Sequence, residues 1–226
     1  MLLNEAKIIN EDFRCYEDAM EFIINERSKR KRAQTAEKFS SDNKFFDELI
    51  RTKLFSYQKE GILFTLKAGR SLLADDMGLG KTIQAIASVE LMEKEKMISK
   101  ALIVCPTSLK YQWKTEIEKF TGKTVSVAEG NLLKRETVYA NESFYKIISY
   151  NIVKSDVKII NTTGFDMVIL DEAQRIKNWK TKVAQNVKKI KSTYAIVLTG
   201  TPLENKLEEL YSILQFVDGF KLGPLY

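Results

Sequence analysis

Three strings of residues carry types and spacings suited to a phosphate site. The first is Asp75-Asp76-Met77-Gly78-Leu79-Gly80-Lys81-Thr82, which follows an apolar run and opens a helix reaching to about Glu95. Glycines let backbone N–H groups approach a polyanion, because no Cβ intervenes. The helix start adds unpaired N–H groups and the positive end of the helix dipole. Lys81 stands where it would reach β- and γ-phosphates, and the Thr82 hydroxyl is a hard oxygen ligand for Mg²⁺. The general pattern has another glycine where this chain has Asp75. The second string is Asp171-Glu172-Ala173-Gln174, after the apolar run Val168-Ile169-Leu170. Two adjacent carboxylates at a strand end are costly without a cation or donors. Asp171 suits Mg²⁺, directly or through its waters, and Glu172 suits a water attacking a terminal phosphate. Gln174 can reach that phosphate or the third string, Leu198-Thr199-Gly200-Thr201-Pro202. The small hydroxyl residues there can sense a neighbouring carboxylate through hydrogen bonds. The structural alternatives are a glycine turn that caps a helix, an acidic helix start, and a strand-to-helix turn with proline near its start.

Two further sites are weaker. Tyr57-Gln58 precedes the first apolar strand. A glutamine amide donates and accepts at once, as the edge of adenine does; an ordinary helix-surface glutamine is the plain alternative. Pro106-Thr107-Ser108-Leu109-Lys110 places hydroxyls and a cation at a helix start. That suits a nucleic-acid phosphate, or a simple N-cap turn. Trp113 reads as packing rather than as a base-stacking platform. Ser149-Tyr150-Asn151 ends another strand with little signal of its own.

The elements that must position these residues alternate. Apolar runs at 71–74, 101–105, 124–128, 146–149, 167–170 and 195–198 are separated by helical stretches such as 82–95, 109–120 and 181–190. Short apolar strands alternating with helices give a parallel sheet covered on both faces. Right-handed crossovers then gather the strand C-terminal ends along one edge, where ligands bind. Every string above falls at such an end, apart from Tyr57-Gln58. Residues 1–52 read as helical and distinct in character, with Phe13, Tyr16, Met20, Ile23 and Ile24 at helical spacing. The basic run Arg27 to Arg32 reads as a solvated helix end or linker in preference to a phosphate contact. Ser40-Ser41-Asp42-Asn43 marks a break, with a short helix over 44–51 and an amphipathic helix over 206–216.

Composition excludes several classes. The 226 residues are 44% hydrophobic and 29% charged, a globular balance with ample core material. Lysine and arginine number 36 against 30 acidic residues, so the net charge is +6, which permits a nucleic-acid partner without demanding one. There is no histidine, which removes His-ligated metals and Ser-His or Cys-His catalysis. Two cysteines, Cys15 and Cys105, form neither a metal spacing nor a disulfide framework and fit an intracellular chain with reduced thiols. No apolar run approaches a membrane span, and the N-terminus does not read as a signal peptide.

Together the strings resemble the Swi/Snf-type ATPases of helicase superfamily two, over residues 54–226. That family's loop also lacks the leading glycine and usually has Glu where Asp76 stands. Ile176-Lys177-Asn178 continues the likeness after Gln174, and Asn205 after the third string. The Thr-Gly-Thr-Pro form separates this family from RNA helicases of the Asp-Glu-Ala-Asp type. The resemblance implies an α/β fold: a RecA-like P-loop NTPase three-layer sandwich with a parallel sheet. Residues 53–226 are then the first of two lobes, preceded by a helical extension over 1–52. ATP and Mg²⁺ are the implied cofactors. The implied partners are double-stranded DNA, DNA-bound protein complexes and a second RecA-like lobe in a longer parent, with no membrane.

The nucleotide is then held by Tyr57, Gln58, Asp76, Met77, Gly78, Leu79, Gly80, Lys81 and Thr82, and Mg²⁺ by Thr82 and Asp171. Lys81, Asp171, Glu172 and Gln174 are the catalytic set. Pro106, Thr107, Ser108 and Lys110 contact DNA, and Thr199, Gly200 and Thr201 couple the sites. The implied activity is ATP hydrolysis that drives translocation on duplex DNA and remodels protein–DNA complexes. The location is cytoplasmic and nucleoid-associated in a bacterium, nuclear in a eukaryote. A second lobe supplies arginine fingers worth orders of magnitude in rate. The present chain alone is therefore expected to bind ATP–Mg²⁺ weakly and to hydrolyse it slowly or not at all. The rivals are a restriction-type translocase and a nucleotide-dependent DNA-binding module without catalysis.

Overall fold

The computed structural model describes residues 16–40, 43–200 and 207–218. Phe13, Cys15, the Ser41-Asp42 part of the expected break, Thr201 and the rest of the third string through Asn205 lie outside them.

Among the described residues, six strands form one parallel sheet: β1 (Arg70–Leu73), β2 (Ala101–Cys105), β3 (Val125–Val127), β4 (Tyr145–Ser149), β5 (Met167–Leu170) and β6 (Tyr194–Leu198). Their order is β1-β6-β5-β2-β4-β3, with every neighbouring pair parallel. The helices are α1 (Glu17–Ser40), α2 (Asn43–Leu49), α3 (Ser56–Ala68), α4 (Lys81–Lys94), α5 (Lys110–Thr121), α6 (Leu132–Ala140), α7 (Tyr150–Thr163), α8 (Lys182–Val187) and α9 (Leu207–Val217). β2, β4 and β5 are buried along their whole length; β2 and β5 accordingly read as unbroken apolar runs, whereas β4 also buries Lys146 and Ser149. Alternate strand residues feed two cores. Ile103, Ile147, Ile169 and Ile196 pack with α3, α4 and α5 on one face. Leu102, Val104, Val168 and Val197 pack with α7, α8 and α9 on the other. This is the expected three-layer sandwich. The strand order sets β6 between β1 and β5, so the three phosphate strings emerge side by side.

Two expectations about the N-terminal segment change. The basic run is neither a helix end nor a linker but lies inside the 24-residue α1. Arg32 there donates to the Lys67 and Ala68 carbonyls at 3.4 and 3.5 Å, placing a cation at the C-terminal end of α3. Nor does packing set a boundary at residue 52. Ala36 and Phe39 of α1, with Phe46, Leu49, Ile50 and Leu54, belong to the same core as α3 and α4. α8 is also shorter than expected, ending at Val187.

Two arginines, Arg135 buried and Arg70 half-buried, lock the second face. Arg135 of α6 grips Asp156 of α7 with two hydrogen bonds of 2.7 Å, and Tyr139 adds a third at 2.9 Å. Arg70 at the base of β1 donates to the Phe216 and Val217 carbonyls at 2.5 and 2.8 Å, tying down the end of α9. No helix among the described residues is long and apolar enough to cross a membrane.

Candidate nucleotide site

The loop after β1 is shaped by glycines. Gly78 and Gly80 take left-handed backbones, with φ of +86° and +76°. Gly80 is the N-cap of α4 and supplies no side-chain cap, so the first amides of that helix depend on a partner from outside it. Lys81 Nζ folds over the loop and donates to the Asp75 and Asp76 carbonyls at 2.6 and 2.9 Å. Asp75, standing where the general pattern has glycine, accepts from Gln84 Nε2 of α4 at 2.7 Å. The amide oxygen of Gln84, Oε1, is buried without a partner and lies against Gly61, where a Cβ would stand only 2.0 Å away. α3 and α4 therefore meet closely at this point.

Tyr57 and Gln58 at the start of α3 hold the loop from the side. Tyr57 Oη and Gln58 Nε2 both donate to the Leu79 carbonyl, at 3.1 and 3.2 Å. Gln58 Oε1 accepts from the Phe55 amide at 3.0 Å. Gln58 is buried, so it is not a surface glutamine; both ends of its amide are engaged by the chain itself.

Asp171 follows β5, and each of its polar atoms has a partner. Its amide donates to the Val104 carbonyl at 2.9 Å. Its carbonyl accepts from Tyr150 Oη at 2.7 Å. Its carboxylate accepts from Trp113 Nε1 at 2.7 Å and from the Glu172 amide at 2.9 Å. Burial pushes this carboxyl above its usual range, and the charges of Glu172 and Glu116 add to the effect. The two N–H donors oppose it. The Asp171 carboxylate is thus partly buried, with neutral donors as its hydrogen-bond partners. A divalent cation would offset that cost.

Glu172 sits at φ +53°, ψ +53°, a left-handed conformation that costs a non-glycine residue on the order of 1–2 kcal/mol. Its carboxylate accepts from Gln174 Nε2. Gln174 Oε1 in turn accepts from Thr199 Oγ1 at 3.3 Å. A continuous chain of hydrogen bonds therefore runs from Glu172 through Gln174 to the end of β6. Of the two contacts open to Gln174, this is the one with the third string.

One cavity of about 480 Å³ brings together part of this set; Tyr57, Gln58, Asp76, Leu79 and Gln174 are not among its lining residues. Met77, Gly78, Gly80, Lys81 and Thr82 line it from the loop, Asp171 and Glu172 from β5, and Thr199 and Gly200 from β6. Trp113 and Glu116 close it from α5. The donor set fits Mg²⁺, which takes oxygen ligands and is usually held by one or two carboxylates together with phosphates and waters. Among the described residues no group of three or more acidic or thiol side chains could hold a metal unaided.

The expected DNA-contact turn divides. Thr107 and Ser108 are exposed, whereas Pro106 is buried and shapes the turn. Lys110 is 5% exposed, and its Nζ meets the exposed Glu129 carboxylate at 2.5 Å, so its charge is paired within the chain itself. Trp113 is packed, as its sequence context implies, but its link to Asp171 spans 58 positions. Periodicity could not have found it, because the contact depends on β2 lying beside β5. Tyr150, singled out in sequence only as part of a weak strand end, meets Asp171 through the same strand order, whereas the Gln84 contact with Asp75 is local to the loop and α4.

The SNF2-related domain family matches residues 57–223. An uncharacterised ATP-dependent helicase of Mycoplasma genitalium is 38% identical over 190 residues, covering 80% of this chain and 18% of that protein. The DNA annealing helicase and endonuclease ZRANB3 of Homo sapiens is 37% identical over 194 residues, covering 81% of this chain and 18% of that protein. The chain therefore spans about a fifth of the length of such relatives. Among solved structures, the Sulfolobus solfataricus SWI2/SNF2 ATPase core in complex with dsDNA superimposes with a TM-score of 0.72 at 34% identity. That match covers 77% of this chain and 38% of the other. The fold is the RecA-like fold of that core.

Proposed function

The chain belongs to the SNF2-related ATPases, and from that premise we propose that it is the ATP-binding lobe of a duplex-DNA translocase that remodels protein–DNA complexes. The observation that carries this reading is the meeting of three strand ends in one cavity, with Lys81, Thr82, Asp171, Glu172 and Thr199 all on its wall.

In this reading Lys81 exchanges the carbonyls of Asp75 and Asp76 for β- and γ-phosphate oxygens, and the amides at the start of α4 receive the rest of the polyanion. Thr82 and Asp171 hold Mg²⁺. The chemistry such an ion would supply there is neutralisation of charge on the phosphates. Glu172 orients the attacking water or takes its proton, and the products are ADP and phosphate. Gln174 holds Glu172 until the γ-phosphate arrives, and Thr199, Gly200 and Thr201 carry that change onward. Thr107 and Ser108 contact the DNA backbone. A second lobe completes the cleft and supplies arginine fingers, so this lobe alone turns over slowly.

Binding and hydrolysis separate the roles. Glu172→Gln should bind an ATP analogue with wild-type affinity and lose about 100-fold or more in hydrolysis. Lys81→Ala should lose binding itself. Hydrolysis by Glu172→Gln at the parental rate would remove Glu172 from the mechanism.

A further inference from the structure

Two aromatic side chains outside the phosphate strings converge on Asp171. Trp113 donates its indole N–H to the carboxylate, and Tyr150 donates its hydroxyl to the main-chain carbonyl, each at 2.7 Å. Trp113 is 2% exposed and Tyr150 5%. They arrive from different directions. Trp113 lies one turn into α5, on the face shared with α4. Tyr150 opens α7 and belongs to the opposite core. β2 separates β4 from β5, so the Tyr150 ring passes the end of β2 to reach Asp171.

Packing alone does not require this. Phenylalanine would fill either core position without bringing a polar atom that must be satisfied. Both polar atoms end on one residue, and that residue is the carboxylate assigned to Mg²⁺. A carboxylate oxygen has two lone-pair directions. The indole takes one on one oxygen, and the Glu172 amide takes one on the other. One lone-pair direction is left on each oxygen, and Asp171 lines the same cavity as Lys81 and Thr82.

We propose that Trp113 and Tyr150 are positioning residues that clamp Asp171 in the orientation needed to hold the Mg²⁺–nucleotide. The inference rests on Asp171 being a metal ligand. Groups that orient a ligand in this way affect metal affinity by about 10- to 100-fold. Tyr150 is not among the residues that line the cavity, whereas Trp113 lines it from α5. A clamp that works through Asp171 should act only when the metal is present; direct contact with the nucleotide would act equally without it.

The test uses the full chain with Trp113→Phe, Tyr150→Phe and Asp171→Asn, and a non-hydrolysable ATP analogue titrated in Mg²⁺ and in EDTA. The expected result is that each aromatic variant weakens binding about tenfold or more in Mg²⁺ and leaves binding in EDTA unchanged. The Trp113 indole N–H resonance, identified by its loss in Trp113→Phe, should also move in Asp171→Asn. Equal losses in Mg²⁺ and EDTA would make both residues packing groups and overturn the inference. So would a wild-type advantage from Mg²⁺ in both aromatic variants alongside its loss in Asp171→Asn. If Asp171→Asn keeps that advantage too, the reading of Asp171 as a metal ligand fails first. Should Trp113→Phe not fold, Tyr150→Phe decides the matter, since it removes a single oxygen.

Discussion

Gly78 and Gly80 have nearly the same backbone, with φ of +86° and +76°, but different neighbours. A Cβ on Gly78 would meet nothing within 4 Å, whereas one on Gly80 would stand 2.5 Å from Gln58 Nε2. Gly78→Ala should therefore cost only the left-handed conformation, about 1–2 kcal/mol. Gly80→Ala must also displace Gln58, which is buried and held by Leu79 and Phe55 at 3.2 and 3.0 Å. Losing those two hydrogen bonds, at about 1 kcal/mol each, brings its cost to about 3–4 kcal/mol. The assay is urea unfolding of both variants, with Gly80→Ala repeated in a Gln58→Ala background. Without the amide in the way, Gly80→Ala should fall to the cost of Gly78→Ala, a coupling of about 2 kcal/mol between positions 58 and 80. The reasoning is refuted if Gly80→Ala costs no more than Gly78→Ala, or if Gln58→Ala leaves its cost unchanged. The loop and α3 would then not be one unit.

Breaking the chain to Glu172 with Gln174→Ala or Thr199→Ala should lower kcat while leaving nucleotide affinity within about twofold; a loss confined to affinity would contradict the coupling role. Asp156→Asn leaves Arg135 buried against a neutral amide and should cost about 3–5 kcal/mol by denaturant unfolding at pH 7. Burial alone would raise the Asp156 carboxyl, but hydrogen bonds from Arg135, Ser155 and Tyr139 win and hold it below its usual range. A depressed folded-state pKa gives stability that is present above the unfolded value, about 3.9, and lost as pH falls through the folded one. The gap between wild type and Asp156→Asn should accordingly narrow below about pH 4, and a gap independent of pH would refute the assignment. Burial, with the Asp171 charge adding to it, pushes the Cys105 thiol up to about 12. Peptide mapping after maleimide treatment at pH 8 should therefore find residue 105 unmodified in the folded protein and modified in urea.

The sheet was legible because buried parallel strands cannot hide. β2 and β5 are apolar at every position, and β4 keeps Tyr145, Ile147 and Ile148 around a buried Lys146. The glycine loop and the Asp171-Glu172 pair could be singled out because the residue types that suit phosphate chemistry stand consecutively there. What the sequence could not supply is lateral order. That Trp113 meets Asp171, that Tyr150 reaches past β2, and that Lys110 finds Glu129 all follow from which strands lie side by side. Gln58 illustrates the same limit at shorter range. Its amide chemistry was evident, but its partners, Leu79 and Phe55, depend on how α3 lies against the loop. The basic run in α1 was misread because charge alone does not reveal that the helix continues through it, nor that Arg32 caps α3.

The most direct test of the central claim is phosphate release from ATP, with and without duplex DNA, by the full-length protein and its Lys81→Ala variant. Turnover that duplex DNA stimulates, and that Lys81→Ala abolishes, is the expected result. Turnover that survives Lys81→Ala, or that duplex DNA leaves unchanged, would contradict the reading of this cavity as the nucleotide site of a DNA-driven motor.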